Sequence, residues 1–298
     1  MINLHGLGVA LTTPFTPSLH VDVVALRTQV ESLITSHADY LVVLGTTAET
    51  ATLTLQEKQE IAAVVADQAA GRIPLVLGLG GNNTAAVIQA FNHFDLSAYS
   101  ALLSVCPYYN KPTQEGLFQH FKAIAAQSPL PIILYNVPSR TGVNLAPETV
   151  VRLAEEEASI IAIKDANSDF NHVQRLLQLC PRSFQVISGE DSLALATTLA
   201  GGVGVISVIG NAFPEHMGEI ISLALQGQNK EAYALYYALQ DSITLLFEEG
   251  NPTGIKALLA IQGKSSPHVR LPLVAASDAL TERLRHEMSL LQSLVLPS

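Results

Sequence analysis

Lys164 stands near the end of IIAIKDA (residues 160–166), behind apolar and β-branched residues that read as a buried strand. Taking an ammonium ion out of water is costly. Such a lysine has either just cleared its strand into solvent or is held there for its chemistry. Polar residues behind other apolar runs favour chemistry. Thr46 and Thr47 follow YLVVLG, Tyr108 and Tyr109 follow SALLSVCP, Tyr135 and Arg140 lie in YNVPSRTG, and Gly189 lies in SGED. Together they suit Schiff-base catalysis. An unprotonated lysine amine attacks a ketone, water leaves, and the cationic imine becomes an electron sink. An apolar strand end favours that amine by penalising its charged form. Phenols and hydroxyls in a chain can relay the protons. A threonine hydroxyl with adjacent backbone amides, or a bidentate arginine, can grip a substrate carboxylate.

For these residues to meet, their elements must converge. Apolar runs occupy residues 8–15, 40–45, 74–80, 100–107, 131–138, 160–166, 184–190 and 202–210. Helix-like segments separate them, among them 22–37, 54–70, 83–94, 114–127 and 147–157, the last opening on Pro147 and Glu148. Non-alternating strands between amphipathic helices signal parallel β structure covered on both faces, and eight of them close a (β/α)8 TIM barrel. A doubly wound open sheet is the competing α/β architecture. Segments 215–226, 229–248, 253–262 and 277–293 read as helices without a further strand. The expected organisation is a catalytic barrel over residues 1–225 and a C-terminal helical domain over 226–298. In a barrel, groups at the C-terminal strand ends share one mouth.

Composition narrows the classes. Of 298 residues, 48% are hydrophobic and 14% charged, which is too apolar for a disordered chain. A net charge of −10 argues against nucleic acid as a partner. Cys106 and Cys180 have neither disulfide-framework nor metal-ligand spacing and read as reduced thiols of a cytoplasmic protein. The N-terminus lacks a basic region and cleavage site, and no apolar run reaches the ~18 residues of a membrane span; neither export nor a membrane anchor is expected. GLGGNN (78–83) matches no nucleotide-binding pattern, and the nine histidines show no paired metal spacing. No metal site is expected. His120 and His172 read as surface or interface residues, residues 155–157 as a solvated helix end, and Cys106 as a buried, inert thiol near the pocket.

GTTAE, PYYNKPTQEG, YNVPSRTG and IAIKDA, in this order and spacing, resemble the dihydrodipicolinate synthase family. That family lies within the pyruvate-dependent class I aldolases, which also include N-acetylneuraminate lyase. The likeness runs from about residue 6 to about residue 273 and includes NPTGIK and VRLPL. It implies that Lys164 forms a Schiff base with pyruvate and that Tyr135 handles protons beside it. Thr46 and Tyr109 would complete a relay, with Tyr109 reaching into a neighbouring subunit. Thr47 would hold the pyruvate carboxylate, and Arg140 the carboxylate of aspartate semialdehyde. Gly189 and Ile206 would offer backbone carbonyls near the lysine. The family further implies a lysine-biosynthetic condensation without cofactor, in a homotetramer built from tight dimers. GTT rather than GST, and Arg140 in SRTG, favour the synthase over the lyase. A keto-acid-binding barrel without catalysis is the remaining alternative.

Three departures stand out. Ala48 replaces the family's usual glycine, at a strain cost of about 1 kcal/mol if that position needs positive φ. KDANSD replaces a KEASGN-like turn, where only the turn is expected to change. Lysine-inhibited members bind lysine through a glutamate, histidines, an asparagine and a tyrosine. The matching positions here are Ala86, Leu55 and Lys58, Asn82 and Tyr108. Feedback inhibition by lysine is therefore expected to be weak or absent.

Overall fold

The computed structural model describes residues 2–291, so the last residues of the 277–293 and 226–298 segments lie outside it. Eight strands form one closed parallel barrel: β1 (Gly6–Ala10), β2 (Tyr40–Val43), β3 (Leu75–Gly78), β4 (Ala101–Val105), β5 (Ile132–Asn136), β6 (Ile160–Asp165), β7 (Gln185–Ser188) and β8 (Gly204–Ser207). Each pairs with its sequence neighbour, and β8 returns to β1, as the (β/α)8 reading expected. The open doubly wound sheet is excluded.

The helices of the β/α units are α1 (Val23–Thr35), α2 (Leu55–Ala69), α3 (Thr84–Ala90), α4 (Gln114–Gln127), α5 (Pro138–Thr141), α6 (Pro147–Glu156), α7 (Phe170–Leu179), α8 (Ala194–Leu199) and α9 (Pro214–Leu225). Beyond them come α10 (Asn229–Glu248), α11 (Thr253–Ile261) and α12 (Asp278–Leu291). Their starts obey local chemistry. Thr54 and Glu57 close a reciprocal capping box on α2, and Pro147 occupies the first turn of α6.

Strand side chains alternate, which divides the core in two. Ala10, Val42, Val76, Leu103, Ile133, Ile187 and Ile206 fill the barrel interior. Leu7, Val9, Leu41, Leu77, Leu134 and Val205 face the helices in the larger outer core. The seam between β1 and β8 depends on glycine. Gly6 pairs with Gly204, whose φ is +145°, and a Cβ on Gly204 would lie 2.1 Å from the Gly6 carbonyl oxygen.

The first and last strands are shorter than their apolar runs. Beyond Ala10, Thr12 and Thr13 are buried by side-chain hydrogen bonds, Thr12 with Gln29 and Thr13 to the Ala48 carbonyl at 2.8 Å. Beyond Ser207, Ile209–Asn211 closes into a 3-10 turn. Both segments fold across the strand ends instead of extending the sheet.

Candidate active site

β5 and β6 are registered so that Tyr135 lies directly beside Lys164. Both side chains face the barrel interior, and the Lys164 amine sits 4.5 Å from the centre of the Tyr135 ring. The Tyr135 hydroxyl lies 3.4 Å from Thr46 Oγ1, on the 3-10 turn Thr46–Ala48 that follows β2. Lys164, Tyr135 and Thr46 therefore come together from three separate strands. Lys164 is only 6% exposed, so the solvent-facing alternative is ruled out.

A second buried lysine shows what structural burial looks like. Lys256 on α11 is fully buried, ion-paired with Glu49, hydrogen-bonded to the His268 carbonyl at 2.8 Å and 4.1 Å from the Phe15 ring centre. Burial holds its amine down at about 8, with Glu49 opposing the shift. Among the described residues, Lys164 has no carboxylate within ion-pair distance. Its amine is available for chemistry.

Thr47 is buried and accepts a hydrogen bond from Asn251 Nδ2 at 3.1 Å. The Asn251 carbonyl accepts one from Arg140 Nη2 at 3.3 Å. Asn251 thus joins two expected carboxylate-binding residues, and its own Oδ1 is buried without a partner. Arg140 is exposed at a cavity of about 350 Å³ that Thr46, Tyr108, Asn251, Pro272 and Leu273 also line. Gly189 packs against the lysine stem: a Cβ there would fall 3.0 Å from Lys164 Cε and 2.8 Å from Ala166 Cβ. Gly189→Ala is expected to displace the amine and lower kcat about 100-fold, with the melting temperature reporting whether the fold survives. Ile206 is fully buried in the interior, on β8.

Tyr109 does not join Thr46 and Tyr135 within the chain. Its side chain is 90% exposed on a backbone of φ 71°. Tyr108 is half-exposed, and its carbonyl accepts a hydrogen bond from Asn82 at 3.1 Å. Ala86 is exposed on α3, and Lys58 is half-buried beside Leu55 in a separate cavity of about 190 Å³. Burial lowers the Lys58 amine from its ordinary value.

Several sequence expectations change. His120 and His172 are buried, not surface residues. Thr84 Oγ1 holds His120 Nδ1 at 2.8 Å, and burial pushes that ring down to about 4. Ala48 carries no positive φ; Glu49 does, at 55°, so the feared strain does not arise at residue 48. Asp165 is part of β6 and buried, so the altered KDANSD segment affects more than a turn. Cys106 and Cys180 are free thiols, and burial raises both. Asn251, Glu49 and Lys256 escaped the sequence reading. Lys256 carried the same signal as Lys164, a lysine inside an apolar run, GIKALLAI.

Among the described residues no helix is long and apolar enough to cross a membrane, and no cluster of three metal-ligating side chains occurs. The chain matches the model of the dihydrodipicolinate synthetase family over residues 3–291. It is 50% identical over 279 residues to the 4-hydroxy-tetrahydrodipicolinate synthase of Flavobacterium psychrophilum, covering 94% of this chain and 95% of that one. Dihydrodipicolinate synthase from Aquifex aeolicus superposes with a TM-score of 0.94 at 37% identity, covering 99% of each chain. The chloride-inhibited enzyme from Acinetobacter baumannii, solved with pyruvate, gives 0.94 at 37% identity over 98% of this chain and 100% of that one. Sequence, fold and the assembled lysine–tyrosine–threonine cluster agree: the chain belongs to the dihydrodipicolinate synthetase family.

Proposed function

We propose that this protein condenses pyruvate with L-aspartate-4-semialdehyde to 4-hydroxy-tetrahydrodipicolinate, in the diaminopimelate route to lysine. The observation that carries the reading is a buried, unpaired Lys164 beside the Tyr135 phenol and Thr46 hydroxyl. Lys164 attacks the pyruvate ketone, and Tyr135 protonates the departing hydroxyl as water. Loss of a methyl proton gives the enamine, whose carbon attacks the aldehyde. The substrate's own amine then adds to the imine carbon, closes the ring and releases Lys164. The reaction as written calls on no metal or organic cofactor.

Thr47, oriented by Asn251, holds the pyruvate carboxylate, and Arg140 holds that of the semialdehyde. Gly189 and Ile206 line the lysine with backbone. Tyr109 completes the relay from a neighbouring subunit; its outward ring beside the cavity supports that role. The assembly is accordingly a homotetramer of tight dimers in the cytoplasm, each chain a barrel over 1–225 with a helical domain over 226–298. Coupled assay with dihydrodipicolinate reductase tests the reading: NADPH oxidation dependent on both substrates is expected. Silence with aspartate semialdehyde, despite a borohydride-trapped pyruvate adduct, would assign another aldehyde partner.

The lysine-binding positions of inhibited relatives are degenerate here. Ala86 supplies no carboxylate for a ligand ammonium, and Lys58 adds a like charge. A lost charge-assisted contact costs about 1.5–3 kcal/mol. Turnover is expected to persist in millimolar lysine; half-inhibition well below millimolar would refute this.

A further inference from the structure

Behind Lys164, on the side of β6 turned from the barrel interior, lies a polar cluster that the proposed reaction does not use. One residue beyond the Tyr135–Lys164 pair, β5 and β6 align Asn136 with Asp165. Alternation turns this second pair outward. Asn136 Nδ2 donates to Asp165 Oδ1 at 2.7 Å and to Asn144 Oδ1 at 2.8 Å. Asn136 Oδ1 accepts from the Leu145 N–H at 3.0 Å. The Asp165 carbonyl accepts from the Gly189 N–H at 2.7 Å, which ties the cluster to the loop touching the Lys164 stem.

His172 on α7 completes the cluster. Asp165 Oδ2 and His172 Nε2 are both buried, meet no hydrogen-bond partner, and face each other at 3.7 Å. Asn144 Oδ1 already accepts from Asn136 and from Asn167 Nδ2, so Asn144 turns its Nδ2 toward His172 Nδ1, 3.4 Å away. Nδ1 must then accept, and a neutral ring carries its proton on Nε2, aimed at the Asp165 carboxylate. With Asp165 ionised every group in the chain has a complementary partner. A proton on Oδ2 would instead confront a donor with a donor.

We infer that Asn136 and Asp165 are positioning residues for Tyr135 and Lys164, and that His172 holds the Asp165 carboxylate in the arrangement that sets their register. The inference rests on the Schiff-base reading. Displacements of about 1 Å at a reacting group can cost about 100-fold in rate.

Titration makes this testable. Burial pushes Asp165 up to about 7, and the Glu190 charge adds to the push, against the Asn136 and Asn167 donors. The other groups bearing on the cluster are buried Cys106 from β4, Asp169 at the start of α7 and Glu148 of α6, the last two acting on His172. Burial holds the His172 ring below its ordinary value, so it stays neutral above pH 7. Because the folded value of Asp165 exceeds the unfolded one, its contribution to stability is full below about 3.8 and is lost as pH rises through about 7. Activity and stability thus run in opposite directions: the ionised carboxylate serves the site and weakens the fold.

Asp165→Asn is nearly isosteric and fixes the uncharged state. Relative to wild type, it is expected to melt higher at pH 8 than at pH 5, and yet to have kcat about 10- to 100-fold lower at pH 8 with KM for pyruvate within about twofold. The wild-type to Asn kcat ratio should climb as pH rises through 7. His172→Gln, which keeps a donor near Nε2, should restore most of the rate that His172→Leu loses. A pH-independent ratio near one, or equal rates in the two His172 variants, would overturn the inference. Borohydride trapping of wild type with pyruvate separates the two readings. No adduct overturns the Schiff base and this inference with it; an adduct alongside a fully active Asp165→Asn overturns this inference alone.

Discussion

Lys164→Ala is expected to lower turnover at least about 10⁴-fold, equivalent to about 5 kcal/mol of barrier, while leaving the fold intact. The side chain is buried without an ion-pair partner, so truncating it strands no opposite charge. What disappears is the nucleophile, and neither Tyr135 nor Thr46 can form an imine. Borohydride reduction with pyruvate should add a three-carbon adduct to wild type, on the Lys164 peptide, and none to the variant. Substantial residual turnover in Lys164→Ala would remove the Schiff base from the mechanism. A wild-type adduct on Lys256 instead would reverse the roles of the two buried lysines.

Lys256→Met should act through stability. Glu49 is buried and left-handed at the end of the turn carrying Thr46 and Thr47, and both its oxygens depend on the C-terminal segment. One is paired with Lys256 and the other accepts the Arg270 N–H at 2.9 Å. Removing one partner of a buried ion pair costs about 3–5 kcal/mol, because the surviving charge is stranded. For a chain of this size that is a fall in melting temperature of roughly 10 °C. KM for pyruvate should rise as well, since the same turn presents Thr47. Glu49→Met combined with Lys256→Met should recover most of the stability, because an apolar pair of similar volume leaves no charge unpaired. A double variant as unstable as the single one would show that packing, not charge, dominates there.

The two lysines also mark what could be read from the chain alone. Both appear as cations inside apolar runs, and only their surroundings separate them. Glu49 lies 207 residues from Lys256, and Asn251 lies 204 residues from Thr47. No local pattern encodes such pairings, because they exist only once the barrel closes and α11 packs against it. His172 and Asp165 were misjudged for the same reason. A polar side chain in a periodic segment reads as solvated unless a partner from another element is known, and here Asn136, Asn144 and His172 converge from β5, the loop before α6, and α7.

The order of elements, by contrast, was legible, because periodicity is local: buried runs of four to six residues between amphipathic stretches permit little besides parallel β/α units. The site followed from that order, since a closed parallel barrel carries its strand-end residues to one mouth wherever they lie in the chain. The residue types at those ends, an amine, phenols, hydroxyls and a guanidinium, were therefore determined by sequence. Tertiary structure alone decided which of them touch, which lysine is neutralised, and which carboxylate pays the desolvation that keeps Tyr135 and Lys164 in register. Those outcomes turn on distances of a few ångströms between residues that only the closed fold makes neighbours.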